Sequence, residues 1–89
     1  MIVPSRIYDM GLPHMSVAVY CYLCERANKN GECFPSTQTI ARDLSIGRRT
    51  VFRALNDLEK HRLLKRIRRR RPSGGYSSSL YRLEVISDV

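Results

Sequence analysis

The side chains best suited to chemistry lie in one short segment of this sequence, residues 48–56. Apolar residues in and just after the segment recur at the spacing of a buried helix stripe, and they are Val51, Ala54, Leu55 and Leu58. The helical period places a second set on the opposite side, which consists of Arg48, Arg49, Phe52, Arg53 and Asn56. Guanidinium groups match the two acceptors of a guanine edge, an amide matches adenine, and an aromatic ring can contact a thymine methyl group. The spacing therefore predicts a helix face that contacts bases in a major groove.

Positive charge is concentrated in the same part of the chain. The 89 residues include 16 Lys/Arg and 8 Asp/Glu, which gives a net charge of +8. Residues 48–71 alone hold eleven Lys/Arg and two Asp/Glu, whereas residues 1–47 are balanced. A contiguous basic segment favours a partner that carries phosphate. The alternative is a solvated helix face with a basic tail, in which the arginines contact only phosphates and Phe52 packs into the core.

Three helices are predicted to position these side chains. The first spans about Pro13–Ala27, where no helix breaker interrupts a buried stripe. The second spans about Thr37–Leu44, and the Ser36 hydroxyl is placed to cap its first amides. Ser45-Ile46-Gly47 then breaks the pattern for three residues, and the third helix continues to about His61.

Extended segments complete the predicted fold. Leu63–Arg71 and Leu80–Val85 are predicted to be strands, joined by Pro72-Ser73-Gly74-Gly75, whose glycines allow the backbone of a hairpin turn. Cys33-Phe34 is predicted to be a short extended piece, because Pro35 disfavours the helical conformation at the residue before it. The fold class is therefore mainly α with a small β-hairpin.

The second helix, the turn and the third helix together form a helix-turn-helix. Apolar or small residues stand where two steeply crossing helices must bury side chains, namely at Ile40, Ala41, Leu44, Ile46, Val51 and Ala54. With the hairpin added, the chain resembles the winged helix-turn-helix domains of bacterial and phage transcription regulators and replication initiators. The resemblance runs from about Ile2 to Leu83 and is most specific in the stretch Cys33–Leu55. It implies one domain over residues 1–89, with an N-terminal arm at 1–12, the helix-turn-helix at 36–61 and a C-terminal basic wing at 63–85.

Three positions depart from the usual pattern of that family. Ser45 stands where the turn commonly has glycine, and Arg62 stands where glycine often follows the third helix. Gly47 stands where a serine commonly caps that helix. A positive φ at Ser45 or Arg62 would cost about 1 kcal/mol, so we expect the fold to survive.

The resemblance implies a protein that binds double-stranded DNA, with a recognition helix at about Arg48–His61 in the major groove. Transcription regulation and phage or plasmid replication initiation are both compatible with it. Helix starts and the wing supply the predicted phosphate contacts, which are Ser36, Thr37, Thr50, Arg66, Arg68, Arg69, Arg70 and Arg71. The alternative is a winged-helix protein-interaction or RNA-binding module within a larger assembly, although such a module has no need of basic side chains on one side of the third helix.

Other chemistry is not predicted. We expect reduced thiols with packing roles, rather than metal ligands, at Cys21, Cys24 and Cys33. Cys21 and Cys24 form one closely spaced pair within the first helix, and no second closely spaced ligand pair follows it. We expect no catalytic set, no cofactor, no membrane span and a cytoplasmic, nucleoid-associated location. Apolar residues beyond the buried stripe of the first helix, such as Met15 and Tyr22, leave two alternatives: a homodimer or partner domain covers them, or the N-terminal arm does.

Overall fold

The computed structural model describes residues 4–67 and 80–84. A short 3₁₀ helix at Ser5–Asp9 comes first. The remaining elements are α1 at His14–Arg26, β1 at Glu32–Cys33, α2 at Thr37–Leu44, α3 at Arg48–Lys60, β2 at Leu64–Ile67 and β3 at Leu80–Leu83. The three predicted helices and the mainly α fold class with its winged architecture are confirmed. The predicted turn at Pro72–Gly75 and the distal parts of both predicted wing strands lie outside the described residues.

The core forms where α1 and α3 pack against each other, which is the most extensive contact between helices in the described part of the chain. The predicted inward stripe of α3 is buried, with its four members Val51, Ala54, Leu55 and Leu58. From α1 the buried residues are Ser16, Val19, Tyr20, Leu23 and Cys24. The Ser16 hydroxyl donates a 3.0 Å hydrogen bond to Asp57 Oδ2, which ties α1 to α3 beside the apolar contact.

The turn between α2 and α3 is built by backbone hydrogen bonds. Ser36 caps α2 as predicted, because its Oγ accepts a 3.1 Å hydrogen bond from the Thr39 amide. At the other end Ser45 is left-handed, with φ 56° and ψ 44°. This conformation directs the Ile46 amide to the Ala41 carbonyl at 3.0 Å, so the chain reverses within three residues. Ala41 is 8% exposed at the crossing, in agreement with its predicted role.

Within residues 4–67 and 80–84 the sheet has three strands, one more than the predicted hairpin. β3 lies in the centre and pairs antiparallel with both β1 and β2. Glu32 lies opposite Arg82, and the Arg82 guanidinium donates to the Glu32 carboxylate at 2.9 Å. The sequence predicts the short extended piece at Cys33-Phe34, whereas the strand β1 is Glu32–Cys33. The pairing of β1 with β3 connects the start of the wing to the segment between α1 and α2. Tyr81 and Leu83 bury their side chains on the inner face of the sheet.

The N-terminal segment covers part of the outer surface of α1. Ile7 is fully buried, Leu12 is nearly so, and Met10 packs against the core. Val17 and Tyr22 also contact the core, but Tyr8 and Met15 remain 65% and 41% exposed. The arm therefore covers α1 partially, and a homodimer or partner domain at this surface stays a prediction.

Two residues other than glycine have left-handed backbone in the described part of the chain, and the sequence analysis names both as departures from the family pattern. These are Ser45 and Arg62, with φ 56° and φ 59°.

We predict that Ser45→Gly and Arg62→Gly each raise the free energy of unfolding by about 0.5–1 kcal/mol, because glycine has no steric penalty in this region. Denaturant titration measures the change. Ala18→Gly, in the middle of α1, is the control and should lower stability by about 1 kcal/mol. If Ser45→Gly and Arg62→Gly both lowered the free energy of unfolding, the claim that these two residues are strained would be contradicted.

Candidate nucleic-acid interface

The outer face of α3 presents the predicted base-contacting set to solvent. Arg48, Arg49, Phe52, Arg53 and Asn56 are all exposed. Phe52 is 42% exposed, so the alternative in which its ring packs into the core does not hold in this structure. The burial of the opposite stripe accounts for the arrangement, since residues three or four apart share one face of a helix. The structure thus brings the five predicted residues together on one surface.

The electrostatics of this face follow from where the carboxylates lie. Residues 48–67 contain two acidic groups, Asp57 and Glu59. Asp57 accepts from the Ser16 hydroxyl, and Glu59 pairs with Arg66. The ion pairs formed among residues 4–67 and 80–84 involve other arginines, so Arg48, Arg49 and Arg53 have no carboxylate partner there. Their charge is available to an anionic ligand.

Arg66 lies on β2, where the sequence predicts the first strand of the hairpin, and its contact with phosphate stays a prediction. It was predicted to contact phosphate from the wing, but its Nε donates to Glu59 Oε1 and its Nη2 donates to Asn56 Oδ1 at 2.7 Å. Both partners lie on α3. Arg66 therefore joins β2 to the outer face of α3. Sequence reasoning missed this link because it depends on how the strand docks against the helix.

The remaining predicted phosphate-contacting residues lie at helix starts and in the wing. Ser36 is exposed, and its Oγ also forms a 2.9 Å hydrogen bond with the Thr39 hydroxyl. Thr37 and Thr50 are half-buried in the first turns of α2 and α3. The first amides of a helix have no partner within the helix, and at the start of α2 the Thr39 amide donates to Ser36 Oγ instead. Arg68, Arg69, Arg70 and Arg71 lie outside the described residues.

A polar cluster fixes the end of α2 against α1. The Tyr22 hydroxyl donates a 2.5 Å hydrogen bond to Asp43 Oδ2, and Arg26 lies 3.4 Å from the same oxygen. The hydrogen bond from Tyr22, helped by Arg42 and Arg26, lowers the pKa of the Asp43 carboxyl below its usual value. Burial and the same hydrogen bond raise the pKa of Tyr22. The cluster therefore links α1 to α2 through an ionised Asp43 carboxylate and a neutral Tyr22 hydroxyl at neutral pH.

Two of the three thiols, those of Cys24 and Cys33, lie in the core rather than at the exposed face of α3. Cys24 and Cys33 are buried and Cys21 is half-buried, all three unpaired as disulfides. Burial, with a smaller effect of nearby Cys24, raises the pKa of the Cys33 thiol to about 11. Burial also raises the pKa of Cys24. Within residues 4–67 and 80–84 no group of three His, Cys, Asp or Glu side chains is arranged to hold a metal ion.

Comparison with known proteins agrees with this geometry. Residues 10–64 match the profile of the family described as a helix-turn-helix domain. The chain belongs to this DNA-binding helix-turn-helix family. It is also 39% identical over 64 residues to Protein YmfN of Escherichia coli K12. That match covers 72% of this chain but 14% of YmfN, so the chain spans only a small part of the length of that relative.

A solved structure shares the fold. It is described as a "Possible transcriptional regulator" from Methanosarcina mazei Go1, and it superposes with a TM-score of 0.64 and 19% sequence identity. The match covers 83% of this chain and 57% of the other. At this identity the likeness concerns the winged helix-turn-helix architecture.

No helix among the described residues of the domain is long and apolar enough to cross a membrane.

We predict that the thiols serve packing in this helix-turn-helix domain. Cys21→Ala and Cys24→Ala should each cost about 1 kcal/mol of stability through lost buried volume, with DNA affinity intact once the protein is folded. A metal chelator should leave the melting temperature unchanged. Stoichiometric zinc in elemental analysis, together with melting that falls sharply in chelator, would contradict this reading, because the binding energy of a structural metal is folding energy.

Proposed function

We propose that this domain binds double-stranded DNA with α3 in the major groove. The observation that carries the proposal is the outer face of α3, where Arg48, Arg49 and Arg53 are exposed and have no acidic partner in the described residues. A helix fits the width of the major groove, and its arginines can each donate to the two acceptors of a guanine. Phe52 lies on the same face and offers an apolar contact to a thymine methyl group.

The wing supports binding to the flanking backbone. β2 leaves the core next to α3, and Lys65 and Arg82 are exposed on the sheet. The four arginines at 68–71, which are predicted to contact phosphates, follow β2 directly in the chain. Such a basic hairpin contributes attraction to any duplex and little sequence preference, because phosphates are the same at every step. Ser36, Thr37 and Thr50 are the proposed phosphate contacts at the helix starts.

Regulation of transcription is the role that we propose for the domain. The relative from Methanosarcina mazei is described as a "Possible transcriptional regulator", and the fold is shared. Replication initiation stays a prediction from the resemblance of the sequence. A module for protein or RNA binding would not account for three unpaired arginines on one face of α3. The proposed role is non-catalytic, and a cytoplasmic, nucleoid-associated location follows from the proposed partner.

We predict that Arg49→Ala and Arg53→Ala each weaken binding to the preferred duplex by about 1–3 kcal/mol and relax base preference. Selection of bound fragments from random duplex DNA defines that duplex, and a titration then measures affinity. Lys29→Ala, in the exposed turn after α1, is the control, since it removes one positive charge away from α3. Wild-type affinity and base preference in both α3 variants would show that α3 does not contact bases.

We predict a different effect when Arg68, Arg69, Arg70 and Arg71 are replaced together by serine. Binding to all duplexes should weaken similarly, and each lost phosphate contact should reduce the slope of log affinity against log salt by about 0.9. A salt series with two unrelated duplexes measures this slope. An unchanged slope would mean that these arginines are only solvated, and a changed sequence preference with little loss of affinity would mean that the wing contacts bases.

A further inference from the structure

Asn56 is not free to turn its amide in either direction, because Arg66 occupies one side of it. Arg66 Nη2 lies 2.7 Å from Asn56 Oδ1. A guanidinium group carries only donors, so the atom that it meets must be the amide oxygen. The amide nitrogen of Asn56 therefore points away from Arg66. The exposed end of this side chain presents two N–H donors.

Glu59 holds Arg66 in the position that this orientation requires. Its carboxylate accepts from Nε of the same guanidinium group. Asn56 and Glu59 are three residues apart, so they lie on the same side of α3, one turn from each other. The side chains of Arg66 and Glu59 are 28% and 37% exposed, which leaves the pair partly shielded from water. A charged pair of this kind is stronger than a neutral hydrogen bond and fixes the guanidinium plane.

The orientation changes which base Asn56 suits. Recognition of adenine by asparagine uses both ends of the amide, since the oxygen accepts from N6 and the nitrogen donates to N7. In this domain one lone pair of the oxygen accepts from Arg66, and this bond fixes the oxygen on the Arg66 side and the amide nitrogen on the other. Guanine presents two acceptors, O6 and N7, in the major groove, whereas cytosine presents a donor and thymine a single acceptor. A side chain that offers only donors matches guanine best.

We propose that Arg66 is a positioning residue that, held by Glu59, orients Asn56 to donate to a guanine rather than to pair with an adenine. The inference rests on the proposed function, since it concerns one base position beneath α3. It also reassigns Arg66, which acts on base preference through Asn56 instead of through a phosphate. Sequence rules alone would assign adenine to Asn56.

Selection of bound fragments from random duplex DNA tests the proposal. Asn56→Ala identifies the base position that depends on this side chain, and the wild-type domain should prefer guanine there. Arg66→Met removes the donor and releases the amide, so the preference for guanine over adenine at that position should fall about tenfold, which corresponds to about 1.4 kcal/mol. Lys29→Met is the control: it removes one exposed positive charge in the turn after α1, outside α3 and the sheet, and should leave the preference unchanged.

Variants of Glu59 separate positioning from stability. Glu59→Gln keeps an oxygen that accepts from Arg66 Nε and should retain the guanine preference, whereas Glu59→Met should lose it in part. Melting curves confirm that each variant is folded, and the Glu59 pair replaces Arg66→Met if that variant does not fold. Adenine at the Asn56-dependent position of the wild-type domain, or no position that depends on Asn56, would overturn the proposal. Failure to bind any duplex would instead overturn the proposed function.

Discussion

The burial of one face of α3 against α1 determines where the proposed base-contacting groups of this domain lie. Val51, Leu55 and Leu58 are fully buried in this contact, and burial of a side chain of this size stabilises the fold by about 1.5–3 kcal/mol. The helix cannot rotate about its axis without exposing them. The hydrogen bond from Ser16 to Asp57 adds a polar constraint to the same contact. Because the inward face is fixed, the helical period sends the arginines outward as one group.

Both ends of α3 depend on strained backbone. Ser45 before it and Arg62 after it have left-handed φ values, which cost residues other than glycine about 1–2 kcal/mol each. The packing of α3 must outweigh this cost, since the reversed turn brings α2 across α3 and the second turn sends the chain into β2. Arg62 is followed at once by Leu63, whose amide donates to the Leu58 carbonyl at 2.9 Å. The left-handed turn at Arg62 thus places β2 beside α3, where Arg66 reaches Asn56.

Local patterns in the sequence were enough for the helices and for the exposed face. The bounds of α2 agree with the prediction. Ser45 and Arg62, which replace glycines common in the family, are the two described residues other than glycine with positive φ, because glycine is favoured where φ is positive. Long-range pairing was beyond these patterns. β1 has two residues, too few for a period, and it pairs with a strand about fifty residues further along the chain. The role of Arg66 likewise depends on docking of β2 against α3, so residue type alone assigned it to phosphate.

The central claim is that the outer face of α3 meets duplex DNA, and a nuclear magnetic resonance titration tests it most directly. The ¹⁵N-labelled domain is titrated with the duplex selected from random sequence, and the amide shifts are mapped along the chain. The account predicts the largest shifts at residues 48–56 and at the start of α2, with small changes in α1. Shifts confined to α1 and the N-terminal segment, with α3 unaffected at saturation, would contradict it.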